Sequence, residues 1–132
     1  MKTLNVTCAI IRRNGSYLVA QRAASMSRPL QWEFVGGKIH EGETPEQCIV
    51  REVKEELCLD VRVTQRLADH VYSYDDKTVC LIPFECEITG GSLQLLEHND
   101  GGWKTPEQMR TLDWCSADRA IVDRALGAAA PA

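Results

Sequence analysis

No apolar run in this sequence approaches the roughly 20 residues a membrane-spanning helix needs. The opening stretch MKTLNVTCAIIRRNGSYLVA is interrupted by Arg12 and Arg13, and no small-residue cleavage site follows, so no secretory signal is expected. Positive charge is not in excess: 15 Lys and Arg against 19 Asp and Glu leave a net charge of −4 and a pI near 5.4. That balance argues against nonspecific binding to nucleic acid polymers or to an anionic membrane, and an anionic ligand would need a cation as intermediary. The six cysteines (8, 48, 58, 80, 86, 115) form no Cys-x-x-Cys pair, and several alternate with apolar residues in strand-like runs. Reduced core thiols, no disulfide framework, no zinc site and a cytoplasmic setting are the expectation. The three histidines (40, 70, 98) lie far apart, and each reads as a surface or hydrogen-bonded residue. There is no internal repeat and no linker; 132 residues, 44% apolar and 26% charged, suit one soluble domain, 1–132, with a fraying tail at 127–132.

What is present falls into strands and two helices. LNVTCAIIR (4–12), the tight-turn pair Asn14-Gly15 and SYLVAQR (16–22) predict a hairpin. Residues 23–35 read as irregular, with Pro29 excluding a regular helix. Val61 to Tyr74 predicts a strand, Asp75-Asp76 a turn, and TVCLIPFECEI (78–88) a further strand in which Pro83 implies an edge or a bulge. Gly90-Gly91 turns the chain into SLQLLE (92–97). T-P-E-Q at 44–47 is a capping box that starts a helix, with Thr44 as N-cap. A second T-P-E-Q starts a short helical turn at Thr105, and a last helix begins near Ser116. This order predicts an α/β or α+β sandwich with a mixed sheet.

The first helix poses the functional question. Ile49, Val50, Val53 and Leu57 make one flank that must face the core, while Glu52, Glu55 and Glu56, three and four positions apart, share the adjoining one. Arg51 precedes Glu55 by four positions and can hold it. A solvated charged face is the ordinary reading of a Glu-rich helix, but such faces interleave signs, and here only Arg51 and Lys54 stand near three carboxylates. Each exposed like-charge pair costs about 0.2–0.5 kcal/mol, and more where water is excluded. A hard divalent cation, held by a few carboxylates together with substrate phosphate, would offset that cost.

The stretch resembles the Nudix box of the MutT-like hydrolases. Gly37, five residues, Glu43, seven residues, Arg51-Glu52-Val53, Glu55-Glu56 and Leu59 follow its spacing, and Cys58 replaces the glycine that usually follows the helix end. QRAA (21–24), WEFVGGK (32–38), Glu97 six residues before Trp103 and Asp118 fifteen beyond it extend the similarity to the small nucleotide pyrophosphohydrolases, most of all those acting on CTP. The resemblance implies an α/β/α sandwich with a loop-helix-loop motif. It implies hydrolysis of nucleoside triphosphates to monophosphate and pyrophosphate by water attack at the β-phosphorus, with Mg²⁺ as cofactor and Mn²⁺ as a substitute.

By matching positions it implies metal ligands Glu52, Glu55, Glu56, Glu97 and the Gly37 carbonyl. Arg51 and Glu43 would orient them and Lys38 would lie near the phosphates. Glu52 is favoured as general base over Glu97, whose plain alternative is a surface carboxylate after a strand. Arg22, Phe34, Lys77 and Asp118 would line the base pocket. Phe34 is as readily a core residue, Lys77 a solvated loop charge and Asp118 a helix cap. An ionised Asp118 accepts hydrogen bonds only and suits an exocyclic amine, while a protonated one could also serve guanine. The partner is a small nucleotide and the chain is expected to be a monomer or a weak dimer. An 8-oxo-dGTP sanitising enzyme, a non-catalytic nucleotide sensor and a nucleotide-sugar hydrolase are the alternatives.

Overall fold

The computed structural model describes residues 3–129, with side chains to Arg124. Strands β1 (Thr3–Arg13) and β2 (Ser16–Gln21) form the predicted hairpin. Asn14 and Gly15 both adopt positive φ (52° and 79°), and Arg13 faces Ser16. β3 (Trp32–Glu33) and β4 (Gly36–Lys38) follow, then α1 (Pro45–Leu57), β5 (Leu59–Arg66), β6 (His70–Ser73), β7 (Thr78–Gly91), β8 (Asp100–Lys104), α2 (Pro106–Met109) and α3 (Ser116–Ala129). All eight strands join one mixed sheet whose main path runs β3-β2-β1-β7-β5. β1 and β7 are parallel, and the other pairs are antiparallel.

Alternation along β1 divides the core into two layers. Cys8 and Ile10 face Ala117, Ile121 and Val122 of α3, while Ala9 and Ile11 face Ile49, Val53 and Leu57 of α1. The result is the expected α/β/α sandwich. The capping boxes at Thr44 and Thr105 are both formed. All six cysteines are free, and among the described residues no helix is long and apolar enough to cross a membrane.

Four local expectations need correction. The segment 61–74 is two strands, broken at 67–69, where the Leu67 N–H turns to the Pro83 carbonyl (2.9 Å). Pro83 is not on an edge strand, since β7 lies between β1 and β5. It falls where β7 exchanges β6 (paired through Leu81) for β5 (paired from Phe84), so its missing N–H sits at a seam in the ladder. β7 runs through Gly90-Gly91, and 92–97 is a loop, tied to the end of α1 by Gln94 N–H to Leu57 O and Leu96 N–H to Glu56 O. Val50 is 38% exposed, and Cys48 takes its place on the buried flank. Cys58, in place of the motif glycine, caps α1 in the left-handed conformation (φ 59°, ψ 29°), so the glycine geometry survives with a side chain strained into it.

Candidate active site

Gly36-Gly37 brings the main chain against α1. A Cβ on Gly36 would overlap the Thr7 carbonyl, and one on Gly37 would lie 2.5 Å from the Glu52 carboxyl carbon. Only glycines allow this approach. The Gly37 carbonyl accepts from Thr7 Oγ1 (3.2 Å) and from the buried Cys48 thiol (3.5 Å), which fixes its position beside Glu52.

Arg51 organises one side of the acidic ridge. Its Nε and Nη2 bind both oxygens of Glu43 (2.7 and 2.8 Å), Nη1 reaches Glu52 (2.8 Å) and Glu55 (3.1 Å), and Nη2 also donates to the Lys38 carbonyl (3.3 Å). The guanidinium bond, joined by one from the His40 N–H, holds the Glu43 carboxyl down to about 2, and the same bonds raise the Arg51 pKa. Burial outweighs Arg51 at Glu52, whose pKa is raised. Glu56 stands apart. Its Oε2 is buried without a hydrogen-bond partner, and burial, with Glu33, Glu52 and Glu97 nearby, pushes its pKa up to about 8. An orphaned buried carboxylate oxygen facing further carboxylates is what a divalent cation would satisfy, so the donor set fits such an ion. Among the described residues no group of three or more His, Cys, Asp or Glu side chains is preassembled to hold a metal ion. An ion here would take its remaining ligands from water or substrate, as Mg²⁺ does.

A cleft of about 330 Å³ opens beside this ridge, lined by Gly36, Gly37 and Lys38 at one end and by Cys115, Ala117 and Asp118 at the other. Arg22, Phe34, Lys77, Arg28 and Tyr74 also line it, so every residue expected to meet the nucleotide borders one space. Their roles differ from a simple pocket wall. The Phe34 ring is 2% exposed and stacks on Trp114 (centroids 5.4 Å apart), while its N–H donates to Asp118 Oδ2 (2.9 Å). Asp118 therefore does not cap α3. It is buried, and burial together with the charge of Glu33 raises its pKa well above the usual range. Arg22 spends its donors on Ser27 O (2.6 Å), Ser27 Oγ (3.1 Å) and Glu33 (2.9 Å). Glu33 in turn meets His98 Nε2 at 2.9 Å, beside the exposed Glu97.

Sequence reasoning did not single out Arg28, Tyr74 or Glu33, while His98 is hydrogen-bonded as expected. Glu33, an acid inside an apolar run, was a usable signal; Arg28 carried none. A second cavity of about 260 Å³, lined chiefly by Ile10, Tyr17, Leu67, Pro83 and Ile121, holds none of the predicted residues.

The NUDIX domain model matches residues 1–130. The chain belongs to the Nudix family. It is 35% identical to the CTP pyrophosphohydrolase of Escherichia coli K12 over 134 residues, which span 100% of this chain and 99% of that one. The 8-oxo-dGTP diphosphatase of the same organism is 30% identical and covers 92% of this chain and 95% of its own length. The solution structure of the E. coli ORF135 protein superposes with a TM-score of 0.80 at 34% identity, covering 100% and 96% of the two chains. The acidic helix is thus the Nudix motif in its family setting, and the protein is a Nudix hydrolase.

Proposed function

We propose that this Nudix hydrolase cleaves (d)NTPs to nucleoside monophosphate and pyrophosphate by water attack at the β-phosphorus, with Mg²⁺ as the working ion and a preference for cytosine-type bases. The observation that carries the reading is the partnerless, buried Oε2 of Glu56 beside a cleft that runs from Gly37 to Asp118. The identity with a CTP pyrophosphohydrolase over the full chain supports the substrate class.

Glu52, Glu55, Glu56, Glu97 and the Gly37 carbonyl would hold the ion. Bound divalent metal neutralises polyphosphate charge and lowers the pKa of a coordinated water. Arg51 keeps Glu52 and Glu55 turned toward the ridge, and Glu43 fixes Arg51 from behind. Glu52 takes the proton of the attacking water. Lys38 faces the phosphates at the near end.

At the far end, Asp118 meets the base edge. Its Oδ2 is committed to the Phe34 N–H, which leaves one oxygen for the ligand. That oxygen accepts from the N4 amine of cytosine when Asp118 is ionised and donates to N3 when it is protonated. A protonated Asp118 can also serve a guanine edge, and the identity with an 8-oxo-dGTP diphosphatase keeps that substrate as the second reading. A nucleotide panel with Mg²⁺, assayed for pyrophosphate against orthophosphate, tests both. Pyrophosphate release with the highest kcat/KM on CTP or dCTP supports the proposal. A dominant preference for 8-oxo-dGTP replaces the base assignment, and inertness toward every nucleotide ends it.

A further inference from the structure

A nucleobase needs a planar surface to lie on, and the Phe34 ring is already taken by Trp114. The lining of the cleft supplies another. The Arg28 guanidinium lies 3.5 Å over the centroid of the Tyr74 ring, and its Nη2 pairs with Asp76 at 2.9 Å. Arg28 and Tyr74 both line the cleft, and the Arg28 side chain is 24% exposed. One guanidinium face is covered by the tyrosine and one edge by the aspartate, which leaves the other face for the cleft.

We propose that Arg28, backed by Tyr74 and clamped by Asp76, is the platform on which the base of the nucleotide stacks, and so a base-binding residue of the activity proposed above, on which this inference rests. Guanidinium is planar, delocalised and weakly hydrated, and it stacks on the faces of bases and aromatic rings alike.

The surroundings hold this platform in place. Arg22 pins Ser27 through two hydrogen bonds, and the Gln31 N–H returns to the Arg28 carbonyl (3.4 Å). These contacts fix Arg28 in a left-handed conformation (φ 52°) that an unsupported non-glycine residue avoids. Tyr74 is fixed at both edges: Tyr72 packs on it edge-to-face (4.7 Å), and its hydroxyl accepts from the Ala117 N–H (2.9 Å). Ala117 adjoins Asp118, so the stacking face and the hydrogen-bonding edge belong to one connected unit. The platform accepts any base; discrimination is left to Asp118.

The test compares Arg28→Lys and Arg28→Ala with wild type on CTP and on ribose 5-triphosphate, which keeps the sugar and phosphates and lacks the base. Lysine retains the charge without the plane. Both variants are expected to raise KM for CTP about tenfold, the loss of one stacking contact, with kcat within about twofold. Arg28→Lys leaves KM for ribose 5-triphosphate within about twofold. Wild-type KM for CTP in Arg28→Lys overturns the platform, and so does an equal rise on both substrates, which makes Arg28 a phosphate reader. Melting curves check the fold, and Arg28→Lys decides if Arg28→Ala is unstable. Metal-free titration with CMP separates this inference from its parent. A wild type that hydrolyses no nucleotide sinks the proposed activity, whereas CMP affinity that is absent, or unchanged by Arg28→Lys, sinks the platform.

Discussion

Glu43 and Glu56 bracket the same motif and have opposite electrostatic fates. On the Arg51 side, one guanidinium serves Glu43, Glu52 and Glu55, and the Glu43 pKa falls to about 2. On the far side, Glu56 has no cation within bonding distance among the described residues, a buried oxygen without a partner, and a pKa pushed to about 8. The difference teaches that the ridge is only half neutralised by the protein. The solvated-face reading fits the first half well and fails for the second, where one carboxylate oxygen is shut off from water among like charges.

The sharpest way to break this comparison is kinetic. Glu52→Gln and Glu56→Gln are expected to cut kcat by about two to four orders of magnitude while circular dichroism shows the fold intact. Arg51→Lys, which keeps the charge but cannot serve three carboxylates in a fork, should cost about 10–100-fold. If Arg51→Lys proved as damaging as Glu56→Gln, the two sides would not be distinct.

Stability gives a smaller and more discriminating test. A carboxyl whose pKa rises on folding binds protons more tightly in the native state. The stability Glu56 contributes is therefore fully present below its ordinary 4.5 and is lost as pH climbs through about 8. In metal-free protein, Glu56→Gln should melt several degrees above wild type at pH 9 and match it near pH 4. Glu43 has the reverse sign: its contribution is present above 4.5 and fades as pH falls through about 2. Millimolar Mg²⁺ should raise the melting temperature of wild type and leave that of Glu56→Gln nearly unchanged, because an ion that binds the native state alone stabilises it. No Mg²⁺ shift in wild type would return the ridge to the status of a solvated face.

The smallest effect concerns Cys58. With φ at 59°, replacement by glycine should stabilise the protein by about 1 kcal/mol, read as a rise in melting temperature with turnover unchanged.

How far the sequence was legible follows from how each end of the cleft is assembled. The acidic end is contiguous: Gly37 to Leu59 carries its own spacing, its capping box and its charge pattern, so the helix, most of its core flank and the acidic residues could be read directly. Arg51 to Glu55 was legible as an i,i+4 pair; its grip on Glu43 and Glu52 needed the loop's path. The base end is built from segments near residues 22–34, 74–77 and 115–118, which meet only through tertiary contacts such as Phe34 N–H to Asp118 and Ala117 N–H to Tyr74. No local period encodes such meetings. β8 escaped notice for a related reason: Asp100–Lys104 contains two glycines and pairs along β2, which supplies the order its own propensity lacks.

The parallel seam between β1 and β7 has a consequence for how the molecule comes into being. Thr3 lies opposite Thr78 and Ile11 opposite Cys86, so during synthesis β1 waits for its parallel partner some 75 residues behind it. Its parallel edge stays open until β7 has been made, with the hairpin 3–21 and the helix 45–57 as the local pieces able to form in the meantime.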